Sequence, residues 1–109
     1  MKSIVFTIKT AYSREKYFME LEENTGKPWE IKDQIDTALI SKMCFCDAYD
    51  LVKYKEVDDK YIAKREKAIS KLKNLVGDRF EDNYPCWEYM TLESLRDSIR
   101  YEKERMITE

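Results

Sequence analysis

The alternation of apolar and polar positions is clearest near the N-terminus. Residues 3–9 (Ser-Ile-Val-Phe-Thr-Ile-Lys) set Ile4, Phe6 and Ile8 against Val5 and Thr7. A period of two, carried by β-branched and aromatic side chains, predicts a strand. Its expected partner is Pro85-Cys86-Trp87-Glu88-Tyr89-Met90, which also alternates. Pairing with a second copy of the chain, or with the sheet edge of another protein, is the alternative.

Beyond the strand the period lengthens. Ser13 is placed to cap a helix from Arg14 to about Glu23, with Tyr17, Phe18 and Leu21 as its apolar stripe. Asn24-Thr25-Gly26-Lys27-Pro28 ends it, and Pro28 or Trp29 opens a second helix that runs to about Tyr54. This helix contains the densest apolar run of the chain, Ala38 to Val52. At 100° per residue, Ile31, Ile35, Ala38, Leu39, Cys46 and Tyr49 share a face, while Ile40, Met43, Cys44, Phe45 and Leu51 fill most of the rest. A helix that is apolar nearly all round is the buried centre of a small domain. Asp33, Asp36, Asp47 and Asp50 mark its watered side.

Residues 59–76 are the clearest amphipathic helix. Asp58 is its cap and Gly77 its C-terminal stop. Ile62, Ile69, Leu72 and Val76 line one side, and Lys60, Lys64, Lys67 and Lys71 follow each other at i, i+4, i+7 and i+11 on another. A charged loop covers 78–83. Thr91 caps a last helix from Leu92 to about Arg105, with Leu92, Leu95, Ile99 and Met106 as its stripe. The expected fold is α+β and mostly helical: about four helices around a central apolar helix, with one or two short β-strands. Residues 1–109 form one small globular domain on this reading.

Composition narrows the chemistry. The chain is 39% charged, against roughly 25% in ordinary domains, but its 13% aromatic content argues for a folded domain rather than disorder. There is no histidine, so Ser-His-Asp, Cys-His and H-E-x-x-H arrangements are excluded. Two glycines cannot build a phosphate-binding loop or a dinucleotide fingerprint. No catalytic residue, cofactor or metal is expected. Cys44, Cys46 and Cys86 are an odd number of thiols, read as reduced and buried among apolar neighbours. Within one helix the first two would point about 200° apart, which is poor geometry for a shared metal. The N-terminal residues lack a signal peptide's apolar core and no stretch is long enough to span a bilayer, so the expected location is cytoplasmic.

Two stretches are candidates for recognition. The lysines Lys60, Lys64, Lys67 and Lys71 form a local excess of positive charge in a chain whose net charge is -2, suited to phosphates or to an acidic surface. Tyr84, Trp87 and Tyr89 lie in the most aromatic window, and these residue types dominate binding hot spots. Short, Lys/Glu/Tyr-rich and glycine-poor, the chain resembles in composition the small accessory proteins of phages and mobile elements. The missing catalytic residues, the surplus of tyrosines and the dense charged surface point to a non-catalytic protein that inhibits or modulates a macromolecular partner, foremost a protein. The alternative is a nucleic-acid-associated protein working through the Lys60–Lys71 face. An unpaired N-terminal strand would also favour a homodimer.

Overall fold

The computed structural model describes residues 2–23 and 25–108; Asn24, in the predicted helix stop, lies outside them. The chain divides into two compact units, Met1–Val57 and Asp58–Glu109.

The first unit is built on the predicted strand. β1 (Ser3–Lys9) turns through residues 10–13 into β2 (Arg14–Glu20). The Thr10 hydroxyl holds the turn, accepting from the backbone N–H groups of Tyr12 and Ser13 at 3.2 and 3.1 Å. β2 and β3 (Asp50–Val57) flank β1 in an antiparallel sheet of order β2-β1-β3. The registers run from Ser3↔Glu20 to Lys9↔Arg14 on one side, and from Ser3↔Val57 to Lys9↔Asp50 on the other. A bulge falls between Thr7, which faces Lys53, and Ile8, which faces Leu51, leaving Val52 as the extra residue. Ile4, Phe6 and Ile8 are buried, as their alternation requires.

Between β2 and β3 lies α1 (Pro28–Thr37), opened by its proline and continued by a π-turn over Ala38–Lys42. Gln34 ties the helix to the end of β2. Its amide oxygen accepts from the Glu22 N–H at 2.8 Å, and its amide nitrogen donates to the Thr25 hydroxyl at 2.6 Å. Ile35, Ala38 and Leu39 are buried. After Met43 the helix is over: Cys44 takes a left-handed backbone (φ 52°) and residues 43–49 are irregular.

These observations correct the expected arrangement of four helices around a central apolar one. The fold is α+β, with a three-stranded sheet and three long helices. The predicted helix at 14–23 is β2, because Tyr17 and Met19 share a face opposite Phe6 and Ile4 in the paired strand; the Phe6 and Tyr17 rings lie 5.7 Å apart. Pairing overrides the helical preference of Arg, Glu, Lys and Met. The predicted central helix ends at Lys42, and its remaining residues belong to an irregular stretch over 43–49 and to β3. Its apolar residues after Leu39 have no single helical face because they belong to a loop and a strand, and Ile40 is exposed. Pro85–Met90 is not a strand, and β1 has partners on both sides, which removes the reason for pairing it with a second copy.

The second unit begins at Asp58, whose carboxylate accepts from the Tyr61 N–H at 2.9 Å and caps α2 (Asp59–Val76). Gly77 ends it at φ 69°, a conformation that glycine adopts without strain. A 3₁₀ turn leads into α3, the single turn Phe80–Asn83, where a charged loop was expected; Phe80 is buried there. Thr91 caps α4 (Leu92–Thr108) by accepting from the Ser94 N–H. The core of this unit is Ala68, Ile69, Leu72, Phe80, Leu92, Leu95 and Ile99. α2 and α4 run parallel. Tyr61, in the first turn of α2, receives the N–H of Leu92 at the start of α4, and Lys71 lies beside Lys103 farther along.

The fully buried ring of Phe6 makes a direct test of the sheet. Phe6→Ala is expected to lower the unfolding free energy by about 3–5 kcal/mol in denaturant titrations. Tyr12→Ala, at a side chain 89% exposed in the hairpin turn, should change it by less than about 0.5 kcal/mol.

Candidate functional site

The aromatic stretch and the lysine face occupy different flanks of α2. The stretch from Tyr84 to Thr91 is irregular apart from a 3₁₀ turn at Trp87–Tyr89. Arg65, buried in the middle of α2, holds it in place. Its guanidinium donates to the carbonyls of Trp87 (3.1 Å), Glu88 (2.6 Å) and Met90 (2.8 Å). A planar fork with five donors can satisfy several carbonyls of a non-repetitive segment at once. No local pattern signals this, because Arg65 reads as one more cation beside the lysines.

The aromatic rings face inward. Trp87 packs against the core beside Phe80, their centroids 5.6 Å apart, and the ammonium of Lys73 lies 4.5 Å from the Trp87 ring and 5.4 Å from Phe80. Tyr84 is half-buried against the same core and donates its hydroxyl to Glu102 at 2.8 Å. Burial, then this bond and the nearby Glu102 charge, push the Tyr84 hydroxyl up to about 12. Tyr89 is half-buried too, and its hydroxyl is raised by burial and by Glu88 and Cys86. In the first unit, Tyr49 donates to Asp36 at 2.5 Å, and burial and that carboxylate likewise raise it to about 12.

The four lysines are all exposed. Lys60, Lys64, Lys67 and Lys71 fall within about 60° of arc on α2, and Glu66 points about 100° away from the nearest of them. Lys71 meets Lys103 of α4, and the proximity of the two ammonium groups lowers the Lys103 pKa. Extending the parallel register from Tyr61–Leu92 to Lys71–Lys103, an offset of 31 to 32 residues, brings Lys64 level with residues 95–96 and Lys67 level with residues 98–99, between Arg96 and Arg100. Arg96, Arg100 and Lys103 are exposed and fall within about 60° of arc on α4. The outcome is a seam with a basic rank on each helix. The second rank escaped the sequence reading, in which these residues only complement the dipole of the last helix. Finding it requires the register of two parallel helices, which no local pattern encodes.

Other polar groups do not assemble into a centre. Asp33 and Asp36 are on α1, Asp47 is in the following loop and Asp50 begins β3. Cys44, Cys46 and Cys86 are exposed rather than buried as expected, the first two on the loop that replaces the predicted helix. Among the described residues, no three His, Cys, Asp or Glu side chains are grouped to hold a metal ion. No helix of the described residues is long and apolar enough to cross a membrane. A cavity of about 360 Å³ is lined by Leu75, Val76, Arg79, Asn83, Glu102, Arg105 and Met106. It lies at the C-terminal ends of α2 and α4, where arginines offset the negative poles of both helices. In comparisons with protein-family models, curated proteins and solved structures, the chain matches none.

Two outcomes test this geometry. Arg65→Ala removes three charge-assisted hydrogen bonds and is expected to cost about 2–4 kcal/mol of stability. Hydrogen exchange should show the largest loss of protection at Tyr89 and Met90, whose N–H groups bond within the turn that Arg65 holds. The raised tyrosines set an alkaline limit. The folded state favours the protonated hydroxyls, so their stabilisation is complete below pH 10.0, the ordinary tyrosine value, and is lost as pH rises through about 12. Phenolate absorbance should show tyrosines that titrate late, Tyr49 and Tyr84 at about pH 12, and the Tyr84 component should disappear in Tyr84→Phe.

Proposed function

We propose that the protein is a non-catalytic binding protein that holds an acidic macromolecular partner against the α2–α4 seam of its second unit. The observation that carries this reading is the convergence of seven exposed cations from two helices, with Lys71 and Lys103 brought side by side. Like charges gathered at a surface repel one another, and an anionic partner relieves that repulsion while gaining attraction from both ranks. A chain without histidine and with two glycines lacks the imidazole and the phosphate-cradling loop on which most hydrolases and nucleotide enzymes depend. Binding is the activity that remains best supported.

The second reading, a protein partner held by aromatic anchors, draws on different residues from those the sequence favours. Tyr84 and Trp87 are committed to the core, whereas Trp29 is 61% exposed on α1. An exposed tryptophan is the type of side chain that anchors a protein interface.

Retention on immobilised heparin tests the first reading with the simplest polyanion. The wild-type protein should bind at low salt, and Lys64→Glu with Lys71→Glu should elute at clearly lower salt. Lys53→Glu with Lys55→Glu makes the same change in net charge on exposed residues of β3 and should elute with a smaller shift. Flow-through of the wild type at low salt, or equal shifts in the two variants, would refute a role for the seam.

A further inference from the structure

We infer that the partner of the seam is a double-stranded nucleic acid, gripped by its phosphates along both basic ranks and without reading of its bases. This rests on the binding role proposed above and names the class of partner. Lys60 to Lys71 span eleven residues, about 16 Å along α2, and the ranks on two packed helices are separated by roughly 8–10 Å. A duplex carries one charge per about 1.7 Å of its axis, so on the order of ten phosphates lie within this length, about half of them on the side that meets the protein. Only a polyanion of such density engages both ranks at once.

What the seam lacks argues the same way. Protein interfaces have a desolvated centre of aromatic and apolar anchors and are poor in lysine. The aromatic cluster of this unit sits elsewhere: Lys73, which covers Trp87, points about 200° round α2 from Lys71. Single strands are held by stacking on exposed aromatic side chains. Tyr101 is the exposed aromatic of α4, but it projects about 160° away from Lys103. Phosphate contacts fix position on the backbone and carry no sequence information. The Lys71–Lys103 pair is the natural seat for one phosphate, since an anion shared by both ammonium groups removes the repulsion between them.

Fluorescence anisotropy with DNA and RNA duplexes two helical turns long, each in two unrelated sequences, tests the inference. Binding should be equal between sequences within about threefold, and log K should fall against log salt with a slope of about -4 to -5, as for five phosphate contacts. Lys103→Glu should weaken binding at least tenfold and make the slope shallower by about one. Arg96→Glu should also weaken it, and circular dichroism confirms that each variant is folded. A stronger hold on the RNA duplex would assign the seam to A-form backbone, and a stronger hold on DNA to B-form; either supports the inference. Three results overturn it: no duplex binding at low salt by protein that heparin retains through the seam, tighter binding of a single strand, or competition by polyglutamate equal to that of the duplex at matched charge. The first and third leave the proposed binding role standing with an acidic protein or glycan as partner. Failure on heparin as well would remove both.

Discussion

Arg65 turns its guanidinium away from the lysines that precede and follow it on α2 and spends it on three backbone carbonyls of the segment before α4. Two helices joined in sequence are most simply packed antiparallel through a short loop. α2 and α4 are parallel, so the chain between them must travel back along the pair before α4 can start. A returning segment without regular structure leaves carbonyls that need donors. Arg65 supplies them from one buried side chain, and the aromatic rings of Phe80, Tyr84 and Trp87 fill the space beneath. The parallel geometry, and every juxtaposition that follows from it, depends on that exchange.

The same exchange sorts the charges. Lys73 covers Trp87 and Phe80 on the flank of α2 that faces the returning segment, while Lys60, Lys64, Lys67 and Lys71 are left on the other flank. There they meet α4 in register, and Lys103 comes up against Lys71. Asp97 and Glu104 lie about 120° and about 100° round α4 from Lys103 and border the rank on the Arg100 side, about 60° and about 40° from that residue. A chain with nearly balanced acids and bases can therefore carry a strongly basic surface. The asymmetry is a property of the packing and not of the composition.

How much of this was legible follows the strength of local signals. α2 was legible at both ends, because an aspartate cap, a glycine stop and a clean stripe all agree. β1 was legible from its alternation, and Thr91 marked the start of α4. β2 was not: Arg-Glu-Lys-Tyr-Phe-Met-Glu is rich in helix formers, and only the presence of β1 beside it makes a strand the better state. The Ala38–Val52 run misled for another reason. Apolar residues without a consistent phase fit a buried helix as well as a helix end, a loop and a strand, and periodicity cannot separate them. At the candidate site, the exposure of the four lysines agreed with their spacing, whereas the inward turn of Trp87 and Tyr84 and the second basic rank depended on contacts between residues far apart in sequence.

Parallel packing also shows which cations the fold itself requires. Aligned helices place both negative poles at one end of the pair, and basic residues near those ends are stabilised by the dipoles. Lys71, Lys73, Arg79, Lys103 and Arg105 all lie toward that end, so their presence has an internal explanation. Lys60, Lys64 and Arg96 do not share it. They sit in the first two turns of their helices, where the dipole disfavours positive charge and Asp59 and Glu93 are the residues that suit it. These three carry the seam past the region where helix electrostatics would place it. A cation that the fold does not need, repeated on both helices in register, is what a partner running the length of the pair requires.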